Sequence, residues 1–452
     1  MKVLLRIIII AGLALMLAGC APNEQPPEPT KEPTATVTPT VIPTEAPVPT
    51  EAPTVQPWED APDTPTALPT AEPTKEPEDP IFFYDEMFEI IVRSTLGFYR
   101  GDNIYPSDLA RITELDWARM YLSDIRDIVW FPNLEKLNLT GCSVSDVTPL
   151  ASLTKLTELN LSSNDELQDI SPLAEVTSLR KLYLGDSVTD LSPLSSLTKL
   201  EVLYIVGAVE DISPLGRLQN LTWLSISGSK VKNLDALSRL KKLKELNIES
   251  DELKDISGIA GLQALETLRL WGGSFKSLTA LNGLYGLKQL TLRCGASSIE
   301  ALRELGCLTI VYFNDFAELG GGLTDLSPLW DMPDLNYLVI QNCGLDDISS
   351  ISGLTALNVL ELSQNGISDI SPLVTLKSVY DLTLSGNRIR DISPLSELKK
   401  LNELHIYDNL IDDASPLYTL ERLRYIDIRM NRLSDAQLRE LRQKLPYADI
   451  AG

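Results

Sequence analysis

The chain has 452 residues, with 63 Asp and Glu against 39 Lys and Arg, a formal charge of −24 and a single histidine. Such an acidic surplus argues against nucleic acid and against electrostatic docking on anionic lipid. One histidine also leaves little for acid–base constellations.

Lys2 and Arg6 precede an apolar run from Ile7 to Leu17, the charged-then-apolar layout of an export signal. At about 11 residues, the run is too short to cross a bilayer as a helix. It closes on Leu17-Ala18-Gly19-Cys20, small residues leading into one cysteine, and this resembles the lipobox of bacterial lipoproteins. The resemblance implies cleavage after residue 19 and lipidation of Cys20, which would hold the chain on the outer face of a cell membrane. An ordinary signal peptide with an incidental cysteine is the alternative.

Residues 20–80 change to Pro, Thr, Glu and Ala, with near-repeats such as 43–47 and 49–53 and twelve acids against Lys31 and Lys75. With almost nothing apolar to bury, this segment reads as a disordered spacer. Proline and charge repulsion extend it, and at about 3.1 Å per residue it reaches at most about 190 Å. Holding a domain away from the membrane is one use of such reach; a plain linker is the other.

Residues 81–111 read as an N-terminal cap. Met87, Phe88, Ile91, Val92 and Leu96 keep a helical period over 85–96, with Gly97 just beyond, and Ser107 after Pro106 starts a second short turn.

From 112 to 432 a motif recurs about every 22 residues. Asp-Ile-Ser-Pro-Leu begins at Asp169, Asp211, Asp369 and Asp391, with close variants at Asp146, Asp190, Asp325 and Asp413. Ten residues on comes Leu-x-x-Leu-x-Leu, whose alternation buries one strand face, as in Leu159 and Leu161 or Leu382 and Leu384. About fifteen strands fit, the first near Ile112 and the last near Leu423. Three residues past the last apolar position stands Asn164, Asn365, Asn387, Asn409 or Asn431, an amide able to satisfy backbone groups inside the turn. Cys142, Cys343, Ser187, Ser229 or Gly273 replace it elsewhere, so the middle should be less regular. Ser171, Ser213, Ser371 and Ser393 are expected to cap a short helical turn, with proline at its first position. An interval of 27 between 298 and 325 adds residues around Phe316 to Gly322, expected to form a mobile edge loop. Residues 433–452 close the array: Ser434 and Gln437 make a capping-box signature, Leu438, Leu441 and Leu445 an apolar stripe, and Pro446 a stop.

Strand, Asn turn, Asp-Ile-Ser-Pro-Leu and the 22-residue period together resemble the internalin-type leucine-rich repeats of bacterial surface proteins. The resemblance implies an α/β fold: a curved solenoid with parallel strands on the concave face, short helical turns on the convex face and helical caps at both ends. It also implies a protein-interaction module that grips its partner in the concave face. Host-directed members usually continue into an immunoglobulin-like module and a wall-sorting signal; neither is read here, which weighs against host invasion.

No catalytic residue, metal site or cofactor is expected. His405 has no activating Ser or Cys motif beside it, and the recurrent aspartates are one per coil, turn formers rather than a calcium loop. Setting Cys20 aside, four cysteines are too few for a disulfide scaffold. Cys142 and Cys343 read as buried fillers; for Cys294 and Cys307, different offsets in neighbouring repeats disfavour a bond. The side chains that the fold does not dictate are the outward ones on the strands. Among them are Tyr183, Tyr204, Trp223, Trp271, Tyr312, Tyr337, His405, Tyr407 and Tyr425, expected to be interface anchors, with Trp223 and Trp271 foremost. Tyrosine also suits strands for packing alone. Acids at Glu158, Glu245, Glu249, Glu361, Asp381, Glu403 and Asp427 favour a basic or mixed partner surface. A glycan stacked on the aromatic rings is the second reading, and an enzyme the least favoured.

Overall fold

The computed structural model describes residues 78–452. The export signal, Cys20 and the spacer up to residue 77 lie outside the described residues. Sixteen parallel strands form one sheet in chain order, from β1 (Glu114–Asp116) to β16 (Asp449–Ala451), in a curved, open solenoid. Each of the first fourteen strands is followed, on the opposite face, by a short turn of 3-10 helix. The leucines that alternate with outward side chains point between the two layers: Leu182, Leu184, Val188, Leu191 and Leu194 of one coil are all at most 1% exposed. A coil of about 22 residues cannot close around such a row by itself, so stacking on its neighbours is what buries it.

The turns are built as the sequence suggests, with one change of role. In the turn Ser171–Glu175 the serine is the first turn residue and proline the second, and the serine does not cap. Asp169 does, its Oδ1 accepting the Ser171 N–H at 2.8 Å, and the same bond recurs at Asp211, Asp369 and Asp391. The Ser213 and Ser371 hydroxyls donate back to the same aspartates at 3.0 Å. The reason is positional: the serine's own N–H is among the orphan donors of the turn, so its acceptor must come from upstream.

The asparagine ladder is present, and in the C-terminal coils it goes with short strands. Asn164 Nδ2 donates to Leu139 O and Leu161 O, both at 2.9 Å, while its Oδ1 accepts from Cys142 N and Val144 N. Asn365, Asn387, Asn409 and Asn431 repeat the pattern. Where asparagine turns the chain, the strands are short: β12 (Val359–Glu361), β13 (Asp381–Thr383), β14 (Glu403–His405) and β15 (Tyr425–Asp427) have three residues each. In the middle, without that amide, the ladder runs on through β6 (Trp223–Ser229) and β7 (Glu245–Ser250), with an irregularity between Ile226 and Ser229. Cys142 does part of the asparagine's work, its thiol donating to Trp117 O at 3.0 Å. All four described cysteines are free, Cys294 and Cys343 buried and Cys307 exposed.

At the N-terminal end, α1 (Glu86–Leu96) is capped by Asp85, which accepts from Phe88 N at 2.7 Å, and ends at Gly97 with φ 76°. Phe88 sets its ring edge-on to Trp117 at 5.2 Å, and Phe131 lies against both. Met87, expected on the inner stripe, is 45% exposed, because Phe88, Ile91 and Val92 already fill the contact with the first coil. A second short helix, α2 (Pro106–Leu109), follows. At the other end, α3 (Asp435–Lys444) carries the Ser434–Gln437 capping box. After it the chain returns to the sheet as β16, paired with β15, an element that the sequence reading lacks.

The insertion between β10 (Ile310–Asn314) and β11 (Tyr337–Gln341) is pinned, contrary to the mobile loop expected. Phe316 is fully buried against Phe313, Gly321 N bonds Phe316 O at 2.8 Å, and Leu323 N bonds Cys343 O at 2.8 Å. Asp315 bridges Arg293 and Asn342. An aromatic that reaches the core anchors this segment.

Candidate binding face

Parallel register stacks the outward side chains into columns that cross the strands. In the central column β4 (Lys181–Leu184) contributes Tyr183, β5 (Val202–Val206) Tyr204, β6 Ser225, and β7 Asn247. It continues through Arg269 of β8 (Thr267–Trp271) and Thr291 of β9 (Gln289–Arg293) to Tyr312, and later through Glu361, Thr383, His405 and Asp427. Trp223, Tyr337 and Tyr425 stand in the column on one side, and Trp271 in the column on the other, between Glu249 and Arg293.

The nine expected anchors are therefore on one face but not in one cluster. Tyr183 lies 6.4 Å from Tyr204, which stacks on Trp223 at 6.1 Å and 25°. Tyr312 stacks on Tyr337 at 5.2 Å, and His405 lies against Tyr425 at 5.0 Å. Trp271 stands away from these groups, and Tyr407, at 37%, is the one anchor classed as exposed. The others are half-buried, and where rings stand in successive coils about 4.8 Å apart they shield one another. Burial raises the hydroxyl pKa of Tyr183 and Tyr204. It raises that of Tyr312 furthest, with the hydroxyl of Tyr337 adding to it.

Two acids expected on the surface are sunk into it. Asp427 is 3% exposed, and both its oxygens accept from Arg429, at 2.8 and 2.6 Å. Burial works against that carboxylate, but the Arg429 bonds together outweigh it and hold its pKa below the usual range. Glu361 is 7% exposed and accepts from Ser363 Oγ at 2.9 Å; burial raises its pKa, Ser363 opposes, and Asp381 adds. Arg269, which the sequence reading passed over, is half-buried in the central column. Its Nη2 donates to Gln289 Oε1 at 3.1 Å, and burial lowers its pKa. The alternation that locates Tyr312 also locates Arg269; a search confined to aromatics and acids missed it.

Four stretches, residues 132–175, 177–217, 355–397 and 381–419, match the family model for leucine-rich repeats (two copies). No curated protein matches the sequence. Among solved structures, an internalin (inlF) from Listeria monocytogenes is 26% identical, with a TM-score of 0.56 over 81% of this chain and 95% of that one. A leucine-rich-repeat protein of Leptospira interrogans is 21% identical, with a TM-score of 0.64 over 76% and 97%. The functional domain of the Listeria monocytogenes protein InlJ, which includes a cysteine ladder, is 20% identical, with a TM-score of 0.60 over 76% and 79%. The chain carries leucine-rich repeats, folds as the solenoid that such repeats build, and is similar in structure to Listeria internalins.

Proposed function

We propose that this chain is a binding protein of the bacterial cell surface, held to the membrane by lipid on Cys20, that grips another protein with its strand face. The observation that carries the reading is the row of half-buried rings at Tyr183, Tyr204 and Trp223 on an open sheet. Rigid rings fixed by their neighbours lose little entropy on binding and offer large apolar area, which is what interface anchors need. The likeness to an internalin supports a surface role, and the leucine-rich-repeat fold supports interaction rather than catalysis.

Full-length mature protein, beside a Tyr204→Ala, Trp223→Ala variant of unchanged circular dichroism, is the reagent for capture from cell-surface and wall extracts. A protein captured by the first and lost by the second supports the reading. Equal capture moves the site off this face, and a glycan-array signal without protein capture replaces it with sugar binding. For the anchor, Cys20→Ser should shift the protein from the membrane fraction to the soluble one; retention in the membrane would remove Cys20 from the account.

A further inference from the structure

The two caps of the solenoid differ on their outer faces. At the C-terminal end α3 turns Asp435, Arg439, Glu440, Gln443 and Lys444 to solvent, the polar finish that keeps an end repeat apart from other molecules. The N-terminal end lacks that finish. Of the fifteen large hydrophobic side chains exposed among the described residues, eight fall between Phe82 and Val129, so the exposure belongs to one end and is not scattered.

The local structure explains how these side chains come together. Before α1, Ile81 and Phe83 turn inward, Phe83 against Phe88 at 6.0 Å, while Phe82 and Tyr84 turn outward, 84% and 77% exposed. On α1 itself Phe88, Ile91 and Val92 pack on the first coil, which leaves Met87 and Ile90, three residues apart, exposed on the other side with Ser94. Tyr99 and Tyr121 stand at the margin near the end of the helix, where Arg93 donates to Tyr99 O at 3.0 Å and Trp117 Nε1 to Thr95 Oγ1 at 3.1 Å. Arg126, 5.4 Å from the centre of the Tyr84 ring, bounds the face on the turn side.

We infer that this end face joins two copies of the chain, cap to cap about a twofold axis. Phe82, Tyr84, Met87, Ile90, Tyr99 and Tyr121 hold roughly 800 Å² of exposed surface between them, about the share that each partner brings to a standard interface. A twofold pairing sets the patch against itself, so one surface supplies both sides. Repulsion between copies, each of formal charge −24, is least where charge is met within the surface, and on α1 Glu89 is paired with Arg93 at 2.7 Å. The described domain also begins at this end, Glu78 standing four residues before Phe82, so copies anchored side by side through it raise the effective concentration of the face. The pairing is independent of the strand face, which it leaves open for another protein.

The test is sedimentation equilibrium of residues 20–452 carrying Cys20→Ser, so that no lipid associates, with reductant to keep the exposed Cys307 a thiol. We expect the average mass to double between about 1 and about 100 μM. Adding Phe82→Ser and Ile90→Ser should leave a monomer of unchanged circular dichroism at about 100 μM, whereas Met430→Ser and Tyr447→Ser, exposed at the other end, should dimerise as before. Methionine oxidation reports the face without a substitution: Met87 should oxidise more slowly as the protein is concentrated, and Met430 at a constant rate. A monomer at about 100 μM, a dimer indifferent to Phe82→Ser and Ile90→Ser, or Met87 oxidation independent of concentration each overturn the pairing. Protection of Met87 by phosphatidylcholine vesicles with no change of mass overturns it in favour of a lipid-facing cap.

Discussion

Asn387 is 8% exposed and its amide joins two coils, donating to Leu362 O and Leu384 O and accepting from Ile367 N. Replacing it with alanine strands three buried backbone groups, and we expect Asn387→Ala to lower stability by about 3 kcal/mol in urea unfolding. A loss under about 0.5 kcal/mol would mean that water substitutes for the amide. Acid acts on other residues. Asp169, Asp325 and Asp369 have lowered pKa values because serine N–H groups, and then serine hydroxyls, bind their ionised form. Their contribution is present above the ordinary aspartate value and lost as pH falls through the lowered one. Glu361 runs the other way, since its raised pKa makes the folded state bind a proton more tightly. Wild type should therefore lose stability relative to Glu361→Gln as pH rises from 4.5 through that raised value, read from urea midpoints against pH. The asparagine and aspartate roles were legible because each recurs at a fixed place in the period. That serine is capped and does not cap was not legible, since both arrangements use the same residues at the same spacing.

Elements follow from those residues. From β12 to β15 three-residue strands coincide with asparagine turns, and from β5 to β11 strands of five to seven residues coincide with their absence, so sequence irregularity in the middle becomes longer pairing and not disorder. The insertion at 316–322 shows the limit of reading composition: three glycines suggest mobility, yet Phe316 between them and the strand decides the outcome. Gly321 carries a sharper expectation. A Cβ there would stand 2.2 Å from Ala296 O, so Gly321→Ala should cost about 2 kcal/mol or more and displace the insertion. An unchanged thermal midpoint would show that the segment is free to move aside.

A single sheet in chain order makes the solenoid of the described residues a stack of neighbours, in which stability is local and the ends matter most. Phe88 closes one end against Trp117 and Phe131, and Phe88→Ala should cost about 3–5 kcal/mol. Hydrogen exchange should then quicken in β1 and the coils beside it, while β12 to β15 keep their protection. Uniform acceleration would show one cooperative unit instead. Fold and face were legible from repetition, since many coils vote on each position. The grouping of anchors was not, because it depends on which ring leans on which, and a period carries no such information.

The surface claim has a direct test in the affinity of the captured protein for two variants. One is Tyr204→Ala, Trp223→Ala on the strand face, and the other is Tyr285→Ser, Trp330→Ser, whose rings are 55% and 60% exposed on the turn side. We expect the strand-face pair to weaken binding at least about thirtyfold, as loss of a hot spot does, with the turn-side pair within about twofold of wild type. The reverse order, with the turn-side pair abolishing binding and the strand-face pair neutral, would contradict the assignment of function to the strand face.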